Sequence, residues 1–379
     1  MKILLAPDKF KGCMRSPQVC EILRRAFSEV FPKAEIVSLP LADGGEGTVE
    51  ALLAASGGEL RTVSVSGPLG KPVEAHFGLY NNGRSAVMEM SSASGLELID
   101  SKERNPLKAS TYGTGELLKA ILDCGVSDIT IGIGGSATVD GGAGMAQALG
   151  YKLLDAAGNE LERGAEALTR LSSISAEGVD KRLPSVKLRV ACDVRNPLLG
   201  RNGAARIYGP QKGATPAMIK ILEEALSKLA TAWLSNGMLD SVELPGDGAA
   251  GGLGAGLRAF CKARMHSGAM LLMDAAGFAT HLKGASFVVT GEGCTDSQTD
   301  EGKLCSEVAN AAKRAGVPCL LLSGSLKGDV LNLNKSFDVA LSISTGHSSL
   351  EESIAAGRHD LYFTARNLAK LVTLKLNPA

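Results

Sequence analysis

The chain has 379 residues, more than one hydrophobic core usually organises, and this length predicts two domains. Its 40 basic and 40 acidic residues cancel and form no long run of one sign, which argues against nucleic acid or a membrane as partner and favours a small molecule. Eight cysteines without a CxxC or CxH pair, no signal-like segment and no run of about 20 apolar residues predict a cytoplasmic protein without zinc or disulfides.

The first predicted elements form a βαβ unit. Residues 2–6 are expected to be a buried strand, and Ser16, followed by proline, supplies a helix N-cap. Apolar side chains then recur with a period of 3.6 from Val19 to Val30, which predicts a helix that ends before Pro32. A second strand is expected at 35–39.

The pattern changes in the middle of the chain and returns near its end. Apolar and polar residues alternate between 60 and 90 with two turns among them, which predicts an antiparallel meander. From 285 to 322 the order strand, helix, strand reappears, with the helix at about 304–315 and a further strand at 337–343.

This order predicts one domain interrupted by another. The fold class is α/β, with a parallel-sheet domain formed by both chain ends, 1–62 plus 284–379, and an inserted mixed-sheet domain at 63–283. The cleft between two such domains is the expected ligand site.

Glycine-rich loops carry the candidate chemistry, and the densest is GIGGSATVDGGAG at 132–144. It follows a strand predicted at 128–133 and precedes an apolar helix, so its amide groups suit a phosphate. The cofactor-binding candidates in it are Gly134, Gly135, Ser136, Thr138 and Asp140. The alternative is a tight turn that needs glycine for packing alone.

A second loop, PLADGGEGT at 40–48, places Asp43 and Glu46 around Gly44 and Gly45. Mg²⁺ binds proteins through one or two carboxylates plus substrate phosphates, so Asp43 is a candidate for both metal and substrate binding. Gly44 and Gly45 are further substrate-binding candidates. Asp43 and Thr48 are equally well explained as ordinary residues of a helix start.

A third loop spans 191–214, where a strand is expected to end at Asp193. A carboxylate at the carboxyl end of a strand is well placed as a base or metal ligand, so Asp193 is the catalytic candidate. Arg195, Asn196 and Lys212 follow as candidates for substrate binding, although turns and solvated basic side chains would also explain them.

A fourth loop at 290–303 repeats this design after a strand. Gly291 and Glu292 are cofactor-binding candidates, Asp296 is a metal-ligand candidate, and Lys303 at a helix start suits a phosphate. The glycines at 111–116 and 248–256 either line the site or serve packing.

Sequence motifs typical of other enzyme classes are mostly absent from the chain. GxxxxGK[ST] and GxSxG are absent, and the five histidines are dispersed, so a P-loop enzyme, a serine hydrolase and a histidine-ligated metalloenzyme lack support. GIGGSA at 132–137 fits the loose dinucleotide pattern, which keeps a nicotinamide-dependent dehydrogenase as a rival. The acidic residue that this pattern requires about 20 positions later would be Asp155, which lies within a predicted turn.

Seven blocks, taken in order, resemble the motif series of the type I bacterial glycerate kinases over nearly the whole chain. They are MKILLAPDKFKG, PLADGGEGT, STYGTGELL, IGGSATVDGGAGMAQALG, CDVRNPLLGRNGAARIYGPQKGA, GAAGGLGAGL and GEGCTDSQTDEGK. The resemblance implies phosphorylation of D-glycerate by ATP and Mg²⁺, with 2-phosphoglycerate as product and the 3-phosphate as the alternative. It also implies a flavodoxin-like domain and an inserted domain like that of restriction endonucleases, in a monomer or homodimer.

The sequence departs from the family pattern at three positions. Lys9 and Cys13 stand where serine is common, and Arg195 stands where a small polar residue is common. The aspartates and glycines of the blocks are unaffected.

The resulting hypothesis assigns Asp193 as the base that deprotonates the attacking hydroxyl, while Lys212 or Arg195 holds the carboxylate of glycerate. Asp296 or Asp43 would assist Mg²⁺, and the amides of 134–136 with Lys303 or Lys11 would neutralise charge that develops during transfer. A dehydrogenase and a non-catalytic phosphometabolite-binding protein are the alternatives.

Overall fold

A computed structural model describes residues 1–296, 303–346 and 349–374. Its strands are β1 (Lys2–Leu5), β2 (Glu35–Ser38), β3 (Glu59–Ser66), β4 (Pro72–Tyr80), β5 (Ser85–Glu89), β6 (Asp128–Gly132), β7 (Lys152–Leu154), β8 (Ser173–Ser175), β9 (Lys187–Ala191), β10 (Arg264–His266), β11 (Phe287–Glu292), β12 (Thr295–Asp296), β13 (Cys319–Ser323), β14 (Leu326–Lys327) and β15 (Val339–Ser342).

The α-helices are α1 (Ser16–Val30), α2 (Thr48–Ser56), α3 (Ser91–Ser94), α4 (Tyr112–Asp123), α5 (Ala143–Ala148), α6 (Ala204–Tyr208), α7 (Pro216–Ser235), α8 (Ala249–Cys261), α9 (Gly268–Ala275), α10 (Phe278–Leu282), α11 (Leu304–Arg314) and α12 (Leu350–Thr373). Among the described residues, none of these helices combines the length and the apolar character that crossing a membrane requires.

The described chain divides into two compact units. Unit 1 comprises Met1–Asp43, Glu50–Gly57 and the described residues from Gly268 onward, and unit 2 comprises Gly44–Val49 and Gly58–Ser267. These limits differ from the predicted ones at 62 and 283. Strand β3 pairs with β4 along its whole length, so the chain enters unit 2 before β3 rather than within it. Helix α9 packs against α11 and therefore belongs to unit 1.

Unit 1 is built on a five-stranded sheet in which every neighbouring pair is parallel. Its order, β2-β1-β11-β13-β15, is the flavodoxin-like order 2-1-3-4-5 when the strands are numbered within this sheet. Buried side chains of this sheet pack with α1 and α12 in one core, to which Phe27, Leu361 and Leu368 contribute. The predicted parallel-sheet domain formed by both chain ends is confirmed.

Unit 2 contains a six-stranded mixed sheet of order β10-β9-β6-β5-β4-β3. Strands β3, β4 and β5 form the predicted antiparallel meander, and β5, β6, β9 and β10 are parallel neighbours. Its core is centred on the buried strands β6 and β9 and includes Trp233 and Phe260 of α7 and α8. The inserted mixed α/β unit is therefore confirmed as a fold.

Several predicted element ends differ from the observed ones by one or two residues, among them those of α1 and β9. Arg15, not Ser16, is the N-cap of α1, because the Gln18 side chain accepts a hydrogen bond from the Arg15 amide at 3.1 Å and closes the first turn. Strand β9 ends at Ala191, two residues before Asp193.

Candidate active site

Three of the predicted loops converge at one edge of the unit 2 sheet. A Cβ atom on Gly44 would lie 2.7 Å from the Ala191 Cβ at the end of β9, and one on Gly132 would lie 2.5 Å from the Gly44 carbonyl oxygen. Gly134 approaches the Gly45 Cα so closely that an added Cβ would lie 3.0 Å from it. Gly44 also has a φ of +91°, where side chains are strained, so these glycines allow the loops to meet.

Glu89, which the sequence analysis did not select, fixes the second of these loops. It lies at the end of β5, and its carboxylate accepts hydrogen bonds from the Val49 amide at 2.9 Å and the Gly47 amide at 3.3 Å. Segment 44–49 is thereby attached to the same strand edge as the other loops. An acidic residue at a strand end was the available signal, and it was the signal used for Asp193.

Asp140 lies inside its own loop. The side chain is fully buried and accepts hydrogen bonds from the Thr111 amide at 2.8 Å, the Thr111 hydroxyl at 2.9 Å, and the Gly142 and Gly144 amides at 3.2 Å. Burial raises the pKa of this carboxyl despite those bonds. These contacts favour a role in shaping the loop over direct contact with a ligand.

Lys212 is also buried, with 5 % of its surface exposed. Its Nζ donates to the Ser136 Oγ at 2.6 Å and to the Thr138 carbonyl at 2.7 Å. Burial lowers the pKa of the ammonium to about 7, and Asp140 opposes that shift. Thr138 Oγ1 is buried and has no hydrogen-bond partner within the described part of the chain.

The remaining candidates after β9 differ in accessibility. Asp193 and Arg195 are exposed. Asn196 is held inside the loop, because its Nδ2 donates to the Asn202 carbonyl at 3.0 Å and its Oδ1 accepts from the Tyr208 hydroxyl at 2.7 Å. Asp193 and Arg195 can therefore reach a ligand from solvent, whereas the Asn196 side chain orders the loop.

In unit 1, carboxylates cluster at the carboxyl ends of β1 and β11, between which the strand order of the sheet reverses. Asp8, which the sequence analysis passed over, is buried there, and its amide donates to the Gly291 carbonyl at 2.8 Å. Burial, the charge of Asp43 and, more weakly, Glu292 raise the pKa of Asp8 to about 7. Lys9 lies 3.9 Å from the Asp43 carboxylate. This edge is where ligands bind in open α/β sheets.

Glu292 is tied into the end of its strand. Its Oε1 accepts from the Thr295 hydroxyl at 2.9 Å, and the Thr295 amide donates to the Ser323 hydroxyl at 3.1 Å. Burial raises the pKa of Glu292, and the charge of Lys303 partly offsets this. The Gly291 position has no room for a side chain, because a Cβ there would contact the Leu322 carbonyl oxygen.

The other unit 1 candidates are more accessible. Lys11 and Lys303 are exposed, Lys303 at the N-cap of α11, and Asp296 is half-buried in β12. The part of the predicted loop at 297–302 lies outside the described residues. Among the described residues, no three carboxylate, histidine or cysteine side chains stand close enough to share one metal ion.

The last two glycine-rich segments serve packing. A Cβ on Gly113 would contact the Ser66 carbonyl oxygen, and one on Gly251 would contact the Thr138 carbonyl oxygen. Gly251 also has a φ of +70°. Gly251 therefore allows its backbone to approach the loop at 132–144, whereas Gly113 allows α4 to approach the end of β3.

Comparisons with known proteins agree on one family. The family model described as the glycerate kinase family matches residues 3–373. The chain is 44 % identical to the glycerate 2-kinase of Escherichia coli strain K12 over 100 % of both chains, and 47 % identical to a glycerate kinase of Halalkalibacterium halodurans over 97 % of both. It also superposes with a TM-score of 0.89 on a crystal structure described as glycerate kinase 2 from Salmonella typhimurium LT2, with 45 % identity and 98 % of each chain covered.

Proposed function

Because the chain belongs to the glycerate kinase family, we propose that it transfers the γ-phosphoryl group of ATP to the 2-hydroxyl of D-glycerate, giving 2-phospho-D-glycerate and ADP. The enzyme class is that of a kinase. The dinucleotide pattern at 132–137 is therefore a loop of a phosphotransferase rather than the fingerprint of a dehydrogenase.

The observation that carries the proposal is the meeting of the three loops at the strand edge of unit 2. Gly134 and Gly135 are exposed there, and within the described part of the chain the amides of 134–136 donate to no backbone carbonyl. Amides left open on a glycine-rich turn form an anion site, which suits the phosphates of ATP. Asp193 follows the neighbouring strand β9.

Asp193 is the proposed base. It accepts the proton of the 2-hydroxyl as that oxygen attacks the γ-phosphorus, and the bond from this phosphorus to the bridging oxygen breaks so that ADP leaves. Arg195 is proposed to hold the substrate carboxylate through its guanidinium. Gly44 and Gly45 would give the substrate access to the backbone at the same edge.

Mg²⁺ is proposed to accompany ATP, with Asp43 and Asp296 of unit 1 as its protein ligands. The carboxylates around Asp8 fit a cation, because their mutual repulsion and burial raise the pKa of Asp8 and Glu292 and a bound cation would relieve both effects. Two carboxylates are sufficient, since Mg²⁺ takes its other ligands from water and phosphate oxygens. When bound, the ion would neutralise charge on the phosphates.

Lys11 and Lys303 are proposed to neutralise further charge on the transferred group. Both ammonium groups are exposed, and Lys303 begins α11, whose N-terminus adds a favourable dipole. We also assign the protein to the cytoplasm, in keeping with eight cysteines that are all free thiols.

A coupled assay tests the activity. ADP release that depends on D-glycerate supports the kinase. NADH formation from glycerate and NAD⁺ without ADP release would overturn it, and so would tight ligand binding without either reaction.

A further inference from the structure

Lys212 is better placed to act through the glycine-rich loop than to touch the substrate. We infer that Lys212 is a positioning residue that takes up a proton when an anion binds at the amides of 134–136. This inference rests on the proposed function only for the identity of the anion, the phosphates of ATP.

The chain around Lys212 explains how a lysine comes to be buried there. Lys212 ends a 3-10 turn, Pro210–Lys212, and Gly213 follows with a φ of +91°. A Cβ on Gly213 would lie 2.9 Å from the Arg104 carbonyl oxygen, so only glycine lets the turn lie this close to the neighbouring segment. The turn directs the Lys212 side chain inward to the loop at 134–138.

The partners of the ammonium are neutral. Nζ donates to the Ser136 hydroxyl and the Thr138 carbonyl, and neither group carries a charge. A buried ammonium without a bonded carboxylate loses hydration that neutral groups replace only in part. The charged state of Lys212 is therefore costly in the free protein, in agreement with its pKa of about 7.

Asp140 is the charged group that acts on this lysine, and Arg104 belongs to the segment packed beside it. Asp140, on the same loop, favours the charged ammonium, but both of its carboxylate oxygens already accept hydrogen bonds from Thr111, Gly142 or Gly144. Arg104, on the segment packed against Gly213, donates to the carbonyl of Gln211, the residue before Lys212, at 3.5 Å. An additional negative charge near Lys212 would therefore stabilise its ammonium group.

The opposite side of the loop is where that charge would bind. The Gly135 carbonyl accepts from the Leu96 amide at 2.8 Å and the Ala137 amide donates to the Ser94 carbonyl at 2.9 Å, which fixes the loop on its protein side. Gly134 and Gly135 stay exposed, and Lys212 lies behind them at Ser136. An anion on these amides would stabilise the ammonium across the loop, in surroundings of low polarity where charges interact strongly.

The predicted signature is a proton taken up on binding. Near pH 6 Lys212 is already protonated in the free protein, so ATP binding would take up few protons. At about pH 7.5 most molecules carry the neutral amine, and ATP binding would take up roughly half a proton per site. A lysine that merely filled space would show no such coupling.

Isothermal titration calorimetry of the full chain with ATP in EDTA, in Tris and in Hepes at about pH 7.5, measures this uptake from the difference in binding enthalpy. Lys212→Met should remove roughly half a proton of uptake and lower ATP affinity at least about tenfold near pH 6.5. The ionisation of ATP itself is common to both proteins, so the difference isolates Lys212. Lys220→Met, the same substitution at an exposed lysine of α7, is the matched control and should change neither quantity.

Lys212→Arg is the second variant, because it keeps the charge and hydrogen-bond donors but does not titrate. Lys212→Arg should bind ATP without the proton uptake seen in the wild type. It tests the inference if Lys212→Met fails to fold. Equal proton uptake in wild type and variant overturns the inference, as does the absence of anion binding. Pyrophosphate distinguishes this inference from the proposed function. If pyrophosphate binds with proton uptake that depends on Lys212 and ATP does not bind, the inference is supported and ATP is contradicted as the phosphate donor.

Discussion

The two sheets both gather loops at the carboxyl ends of parallel strands, but the loops of unit 1 bring carboxylates together and those of unit 2 bring amides and a lysine together. In unit 1, Asp8 lies near Asp43 and Glu292, and their repulsion and burial favour protonation. In unit 2, Lys212 is buried behind open amides, and its burial favours deprotonation.

From this difference we propose that the same position in the two sheets binds a cation in unit 1 and an anion in unit 2. The strand edge supplies only the place, and the loop residues decide whether a cation or an anion is stabilised there. A kinase needs both kinds of site, one for the metal ion and one for the phosphates.

The largest expected effect comes from the exposed carboxylate after β9. Asp193→Asn should lower kcat by about 10²–10⁴ without loss of folding, because the amide cannot accept the hydroxyl proton. Initial rates of ADP release at saturating glycerate measure this. Asp240→Asn, at another exposed aspartate of unit 2, is the control; turnover of Asp193→Asn equal to that control would remove Asp193 from the mechanism.

The next effect concerns the contact between the glycine-rich loops. Gly44→Ala should lower kcat/KM about ten- to a hundredfold, because the new Cβ would clash with Ala191 and move segment 44–49 from the strand edge.

Gly47→Ala is the matched control for Gly44→Ala. Gly47 has a φ of +87°, close to the +91° of Gly44, but a Cβ there would meet nothing within 4 Å. Both variants therefore carry the same backbone strain, and only Gly44→Ala carries the clash. Equal losses in the two would show that strain, not loop contact, is responsible.

On the carboxylate side, Asp8→Asn should change the pH dependence of stability. The folded-state pKa of Asp8 is raised to about 7 from 3.8, so the protonated carboxyl stabilises the folded protein at low pH and this contribution is lost as pH rises to about 7. Between pH 5 and 8, the free energy of unfolding of Asp8→Asn should gain roughly 2–3 kcal/mol relative to wild type.

Denaturant unfolding in EDTA at the two pH values measures that change. A difference between Asp8→Asn and wild type that stays the same at both pH values would contradict a raised pKa at Asp8. It would also remove the argument that this edge favours a cation.

The smallest effect is expected at the buried hydroxyl of Thr138 in unit 2. Thr138→Val has nearly the same shape and removes a buried Oγ1 that has no hydrogen-bond partner among the described residues, so the free energy of unfolding should stay within about 1 kcal/mol or rise. Thermal and denaturant unfolding measure this. A loss greater than about 2 kcal/mol would mean that Oγ1 has an ordered partner in the free protein.

Sequence patterns predicted the fold well because they are local. The helical period from Val19 to Val30, the alternation through β3 and β4, and glycine loops at strand ends each follow from neighbouring residues. The family resemblance was confirmed because seven ordered blocks specify more than any one loop.

Burial and long-range contacts account for what the sequence did not reveal. Lys212 was predicted to bind the substrate, with a solvated basic side chain as the alternative, and its burial depends on the approach of Gly213 to the distant Arg104. Asp8 and Glu89 each follow the same strand-end rule as Asp193, but their roles arise from Asp43, Glu292 and segment 44–49, which only the fold brings near.

Phosphorus NMR of the product formed from D-glycerate and ATP tests the central proposal most directly. Phosphate on the 2-oxygen is attached to a carbon with one proton, so the proton-coupled signal should be a doublet that appears together with ADP. A triplet would place phosphate on the 3-oxygen, whose carbon carries two protons. No new phosphate ester signal from correctly folded protein supplied with ATP, Mg²⁺ and D-glycerate would contradict the account as a whole.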